Sequence, residues 1–155
     1  MKLHQSIILL FLGAFVEVIF SSCKHGCGGQ GGTSAHNKEE SHNMGLNCMN
    51  CHSGTGEGQG CFAVAGTVYN QTFSKTKSNP TIQMYTQADG KGDLIKIIDG
   101  DDLGNFYNEN SSGLTGSFYP VVVSSDGKVQ KMLEPISTGA CNSCHGVKTD
   151  KIWVD

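Results

Sequence analysis

The chain has 155 residues, with 14 acidic against 11 basic side chains and a formal charge of −3, so it offers no basic footprint for nucleic acid. Once an apolar leader and a glycine-rich stretch are set aside, roughly a hundred residues remain, enough for one domain with a modest core. Seven cysteines in so short a chain make thiol chemistry the first question.

The chain starts with the basic pair Met1-Lys2, and residues 7–20 form an apolar run interrupted only by Glu17. That run is short for a spanning helix and carries a charge, so residues 1–22 read as a signal peptide. Phe20-Ser21-Ser22-Cys23 resembles the cleavage box of bacterial lipoproteins. Cys23 is then expected as the lipidated first residue of an exported protein that is anchored to a membrane rather than spanning it. Ordinary cleavage nearby would instead leave Cys23 as a thiol. The expected location is the bacterial cell envelope, on the periplasmic or outer face, or outside the cell.

Residues 23–43 are rich in Gly, Ser, His and charge, a composition that favours a flexible tether. Such a tether reaches on the order of 25 Å. His25 and His36 within it read first as solvated residues.

Cys48-Met49-Asn50-Cys51-His52 follows, and its pattern recurs as Cys141-Asn142-Ser143-Cys144-His145. Cys-x-x-Cys-His is the attachment pattern of a c-type haem. Two thiols three positions apart can each add to one vinyl group of a porphyrin, and the next histidine is held under the iron. Cys48, Cys51, Cys141 and Cys144 are thus expected as covalent anchors of two haem c groups, with His52 and His145 as proximal iron ligands. A four-thiolate zinc ribbon would separate its cysteine pairs by about 15 to 20 residues, and here they lie at opposite ends of the domain. A thioredoxin-like motif would need a strand-helix-strand context, and two simple disulfides would leave both histidines without a role.

Setting aside these four cysteines and Cys23 leaves Cys27 and Cys61. In an oxidising compartment an even remainder suggests a disulfide, with an exposed Cys27 thiol and a small buried Cys61 as the alternative.

The stretch between the two motifs reads as all β. Residues 61–69 alternate with period two, Ile82, Met84 and Thr86 share a face, and Asp89-Gly90-Lys91-Gly92 is a turn before residues 94–98. Asp99-Gly100-Asp101-Asp102 breaks the chain; it also invites a calcium reading, but it lacks EF-hand spacing and a solvated turn is the simpler account. Residues 118–124 and 128–132 flank Ser125-Asp126-Gly127 as a hairpin. Short strands at this spacing predict a mainly β fold, a small antiparallel β-sandwich with its core at about residues 61–133. Residues 44–155 form the domain, with haem-binding segments before the first strand and after the last.

Gly66-Thr67-Val68-Tyr69 and Asp102-Leu103-Gly104-Asn105-Phe106-Tyr107 resemble the marker motifs of carboxypeptidase-regulatory-like, or transthyretin-like, β-sandwich domains. Together with the two haem motifs, residues 43–155 resemble small bacterial di-haem c-type cytochromes built on such a sandwich. The resemblance implies electron transfer between redox protein partners. The haem-bearing ends depart from plain sandwich domains, so the fold does not bring those domains' function with it.

A six-coordinate carrier needs a distal ligand at each iron. For the first haem His42 is favoured, with Met44 competing; Gly45 lets the chain fold back over the porphyrin. For the second, Met132 is the candidate. If Met132 is ordinary core packing, His42 or His36 would have to reach the second iron, from the same chain or a neighbouring copy. Assembly of copies into a haem chain stays open. No catalytic constellation accompanies the haem motifs, so an electron carrier is expected rather than an enzyme. A di-haem peroxidase would need an open iron position with acid/base groups beside it. A haem-bearing sensory or binding module is the third class.

Overall fold

A computed structural model describes Cys27 and residues 31–155. The leader, Cys23 and His25 lie outside the described residues. The fold is mainly β, with two sheets packed face to face and only single 3₁₀ turns among the described residues. The strands are β1 (Val64–Tyr69), β2 (Thr81–Gln87), β3 (Lys91–Asp99), β4 (Asn105–Asn108), β5 (Tyr119–Val123), β6 (Val129–Lys131), β7 (Gly139–Ala140) and β8 (Ile152–Trp153).

One sheet runs β3-β2-β5-β6 and is antiparallel throughout. The other centres on β1, with β4 antiparallel along one edge and β7 and β8 along the other. Val64 and Val68 of β1 and Phe106 of β4 meet Ile82, Met84, Ile98 and Val122 of the facing sheet. Every residue of β1 is buried, although the strand alternates like a half-exposed one. The reason is that its second face is covered as well, by the segments that carry the two cysteine motifs.

Local chemistry accounts for the turns. The β5–β6 hairpin closes with Ser124 N–H donating to the Lys128 carbonyl and Gly127 N–H to the Ser124 carbonyl, both at 2.9 Å, and Gly127 takes φ +84° as such a turn requires. The acidic stretch before β4 is a turn whose carboxylates are already in use. Asp101 accepts from the backbone N–H of Leu103 (3.0 Å) and Asn105 (2.9 Å), and Asp102 accepts from Ser78 and Asn79.

Three expectations change. Residues 31–43 are not a free tether: Ser34 is buried, exchanges hydrogen bonds with the backbone of Tyr107 and reaches the Asp99 carbonyl, and Thr33 bridges to Asn108. Short polar side chains dock this arm through hydrogen bonds, a mode of packing that composition does not reveal. The second cysteine motif does not follow the last strand but lies between β7 and β8. Nor is the sandwich wholly antiparallel, because β7 and β8 both run parallel to β1. Each holds two residues, too few to display a period, and Val154 beyond them is buried in the core.

Cys27 and Cys61 form a disulfide, with Cα atoms 5.0 Å apart. Cys61 stands three residues before β1, so the bridge pins the arm to the start of that strand.

Candidate haem sites

Both motifs fold into the same tight turn. The Cys48 carbonyl accepts the N–H of Cys51 (3.2 Å) and His52 (2.9 Å), and the Cys141 carbonyl accepts those of Cys144 (3.2 Å) and His145 (3.0 Å). Each begins as a 3₁₀ turn, Cys48–Asn50 and Cys141–Ser143. All four motif cysteines are free thiols. Burial raises the Cys48 thiol pKa, and burial together with the nearby Cys48 and Cys144 pushes Cys141 up to about 12.

The motif histidines are oriented alike. His52 Nδ1 lies 2.8 Å from the Gln59 carbonyl and His145 Nδ1 2.8 Å from the Asp150 carbonyl. A carbonyl only accepts, so Nδ1 is the donor and Nε2 of the neutral ring keeps its lone pair, the arrangement of a metal-ligating histidine. His52 is also stacked on Phe62, with centroids 4.0 Å apart, and Phe62 on Tyr107 at 4.4 Å.

Each motif opens on a cavity. The first, about 620 Å³, is lined by His42, Cys48, Cys51, His52, Phe62 and Tyr107 among others. The second, about 430 Å³, has Met132, Cys141, Cys144, His145 and Trp153 in its walls. Both volumes suit a bound cofactor, for which roughly 300 to 1,000 Å³ is usual.

The distal candidates separate in space. His42 and His52 both line the first cavity, with ring centroids 6.0 Å apart and planes tilted by 40°. Met44 is 43% exposed and absent from the cavity wall, whereas Met132 lines the second cavity. His36 lies in neither. Its Nε2 is 3.3 Å from the Pro80 carbonyl and 3.5 Å from Asp99, where the docked arm carries it away from both cavities.

The two motifs, 93 positions apart in the chain by their first cysteines (141 less 48), are neighbours in space. Asn142, inside the second motif and 4% exposed, donates to the Leu46 carbonyl (2.9 Å) and to Thr67 Oγ1 (3.2 Å). That hydroxyl also accepts the Gly45 N–H (2.9 Å) and donates to Asn105 Oδ1 (2.6 Å), which uses its one donor and both acceptor positions. Phe106 is part of both cavity walls. Gly66 makes the approach feasible: a Cβ there would stand 2.6 Å from the Phe106 ring and 3.0 Å from the Cys141 Cβ.

Asn142 and Thr67 were not legible as site residues, since a motif's intervening positions are free by definition. Thr67 alternating with Val64 and Val68 across β1 was the available signal. Among the described residues no three His, Cys, Asp or Glu side chains gather as a metal site. Comparisons with family models, curated proteins and solved structures return no match for this chain.

Proposed function

We propose that this chain is an exported di-haem c-type cytochrome that carries electrons between redox proteins and converts no substrate. The observation that supports it best is the duplication of one chemical arrangement. Twice, two free thiols three residues apart precede a histidine whose Nδ1 is spent on a backbone carbonyl, at the mouth of a cavity of suitable size. Bound there, haem supplies a one-electron Fe(III)/Fe(II) couple.

The chain's own residues do the rest. Cys48 and Cys51, and Cys141 and Cys144, would anchor the two groups, and His52 and His145 would hold the irons from one side. His42 and Met132 are the distal ligands the cavities favour. Phe62 and the Gln59 carbonyl restrict rotation of His52 and so would hold its orientation toward a bound haem. The Asn142–Thr67–Asn105 network ties the two sites together, and the buried Phe106 lines both cavities.

Export fits the disulfide between Cys27 and Cys61, which persists best in an oxidising compartment. Attachment to a membrane through Cys23, and assembly of copies into a chain, belong to the same proposal. Intact mass after expression with a haem-attachment system tests it. Two haem additions that survive denaturation are expected, and fewer than two would overturn it.

A further inference from the structure

The two cavities differ in the charges they hold. Glu40 and Glu109 are the charged side chains of the first wall, whereas the second pairs Lys131 and Lys151 with Glu134 and Asp150. Glu109 is a fixed charge: half-buried, it accepts the Gly32 N–H at 3.0 Å, and it packs so close to Gly60 that a Cβ there would meet its carboxylate. Lys131 and Lys151 are held too, the first donating to the Asp89 carbonyl at 2.8 Å and the second lying 4.1 Å over the Tyr69 ring.

On the reading above, each site holds an iron whose oxidised form carries one more positive charge than its reduced form. An uncompensated carboxylate beside it favours the oxidised form and lowers the potential, and half-burial weakens the screening that would cancel this. A balanced set of charges leaves the potential near that set by the ligands. The ligand types available act in the same direction: the first cavity is lined by His42 and His52, and the second by Met132 and His145. Methionine opposite histidine raises the potential relative to paired histidines.

We infer that the chain holds its two sites at unequal reduction potentials, low at the first and high at the second, and that Glu109 is a potential-setting residue of the first. This rests on the di-haem reading and goes beyond it, because it gives the pair a direction. A single electron shared between the sites rests at the second, next to β6–β8, and a one-electron protein donor is best placed to deliver it at the first. The field of Glu109 is felt locally. Burial first, and then the charges of Glu109, Glu40 and Asp101, raise the Tyr107 phenol beside it.

A potentiometric titration of the holoprotein tests this, with intact mass on the same sample. The expected result is two waves. Glu109→Gln, which keeps an oxygen for the Gly32 N–H, moves the lower wave upward and leaves the upper one in place, and Met132→His moves the upper wave down. Glu40→Gln, at an exposed position that cannot threaten the fold, repeats the first shift with smaller size. Two attached haems with coincident waves, with an upper wave that follows Glu109→Gln, or with no response to either glutamate overturn the inference alone. Fewer than two haem masses overturn it together with the function it rests on.

Discussion

Asn142 Nδ2 donates a 2.9 Å hydrogen bond to the carbonyl of Leu46, so a residue inside the second cysteine motif is tied to one just before the first. A chain that carries its two motifs at opposite ends of the domain thereby brings them together across the buried β1. The fold's parallel strands serve this joint. β7 pairs with Val64 and Ala65, β8 pairs with Val68 and Tyr69, and the motif turn occupies the interval where Thr67 meets Asn142.

The joint depends on one hydroxyl, and its removal is the first prediction. Thr67→Val keeps shape but leaves the Gly45 N–H, Asn142 Nδ2 and Asn105 Oδ1 short of a partner in a buried place. A loss of about 1 to 3 kcal/mol in unfolding free energy is expected, measured by denaturant titration of the holoprotein. Thr67→Ser, which keeps the hydroxyl, should recover most of it. Equal losses for the two variants would mean that packing, not the network, is what matters at this position.

How far the sequence anticipates this architecture depends on the physical basis of each feature. Alternation made β1 and β2 readable and turn signals marked the strands up to β6, because a period of two and a Gly/Asp turn are local features of sequence. The cysteine motifs were readable because covalent chemistry demands a spacing. β7 and β8 were not, since two residues show no period and their pairing is decided by β1's free edge. The docking of residues 31–43 was missed for a different reason: it uses Ser34 and the Asp99 and Tyr107 backbone, while composition records only apolar burial. His42 was preferred to Met44 from the sequence, and of the two only His42 lines the first cavity.

His42 is accordingly the residue to remove for the second prediction. In the holoprotein, His42→Ala is expected to turn one haem high-spin in its optical and paramagnetic spectra, while Met44→Ala leaves both low-spin. The two substitutions are close in the chain and both positions are exposed, so a general loss of fold would affect them alike. A high-spin signal from Met44→Ala alone would reassign the first distal ligand.

Met132 carries the third prediction. If its sulfur completes the second site, Met132→Ala abolishes the weak long-wavelength sulfur-to-iron band of the oxidised protein and leaves the first haem unchanged. Unchanged spectra would assign Met132 to packing against its neighbours in the wall, Ile136 and Leu133, and would send the search for a distal ligand elsewhere.

The disulfide between Cys27 and Cys61 supports the last prediction, because of what lies inside its loop. The bridge closes a separation of 34 residues that contains His42, Cys48, Cys51 and His52 of the first site, whereas Met132, Cys141, Cys144 and His145 of the second lie outside it. Restricting the unfolded chain by a loop of this length is worth about 2 to 4 kcal/mol. The bridge also lies close to the segment just after the first motif, since a Cβ at Gly54 would stand 3.2 Å from Cys27 Sγ. Opening it should therefore act unequally on the two sites. In Cys27→Ser/Cys61→Ser holoprotein, the unfolding midpoint is expected to fall and the first haem to lose its His42 ligand at lower denaturant than the second loses Met132. Covalent attachment persists throughout, so haem mass does not change and spectra report ligation alone. Simultaneous loss of both distal ligands would show that the two sites unfold as one unit, held together by the Asn142 joint more strongly than the first is held by its bridge.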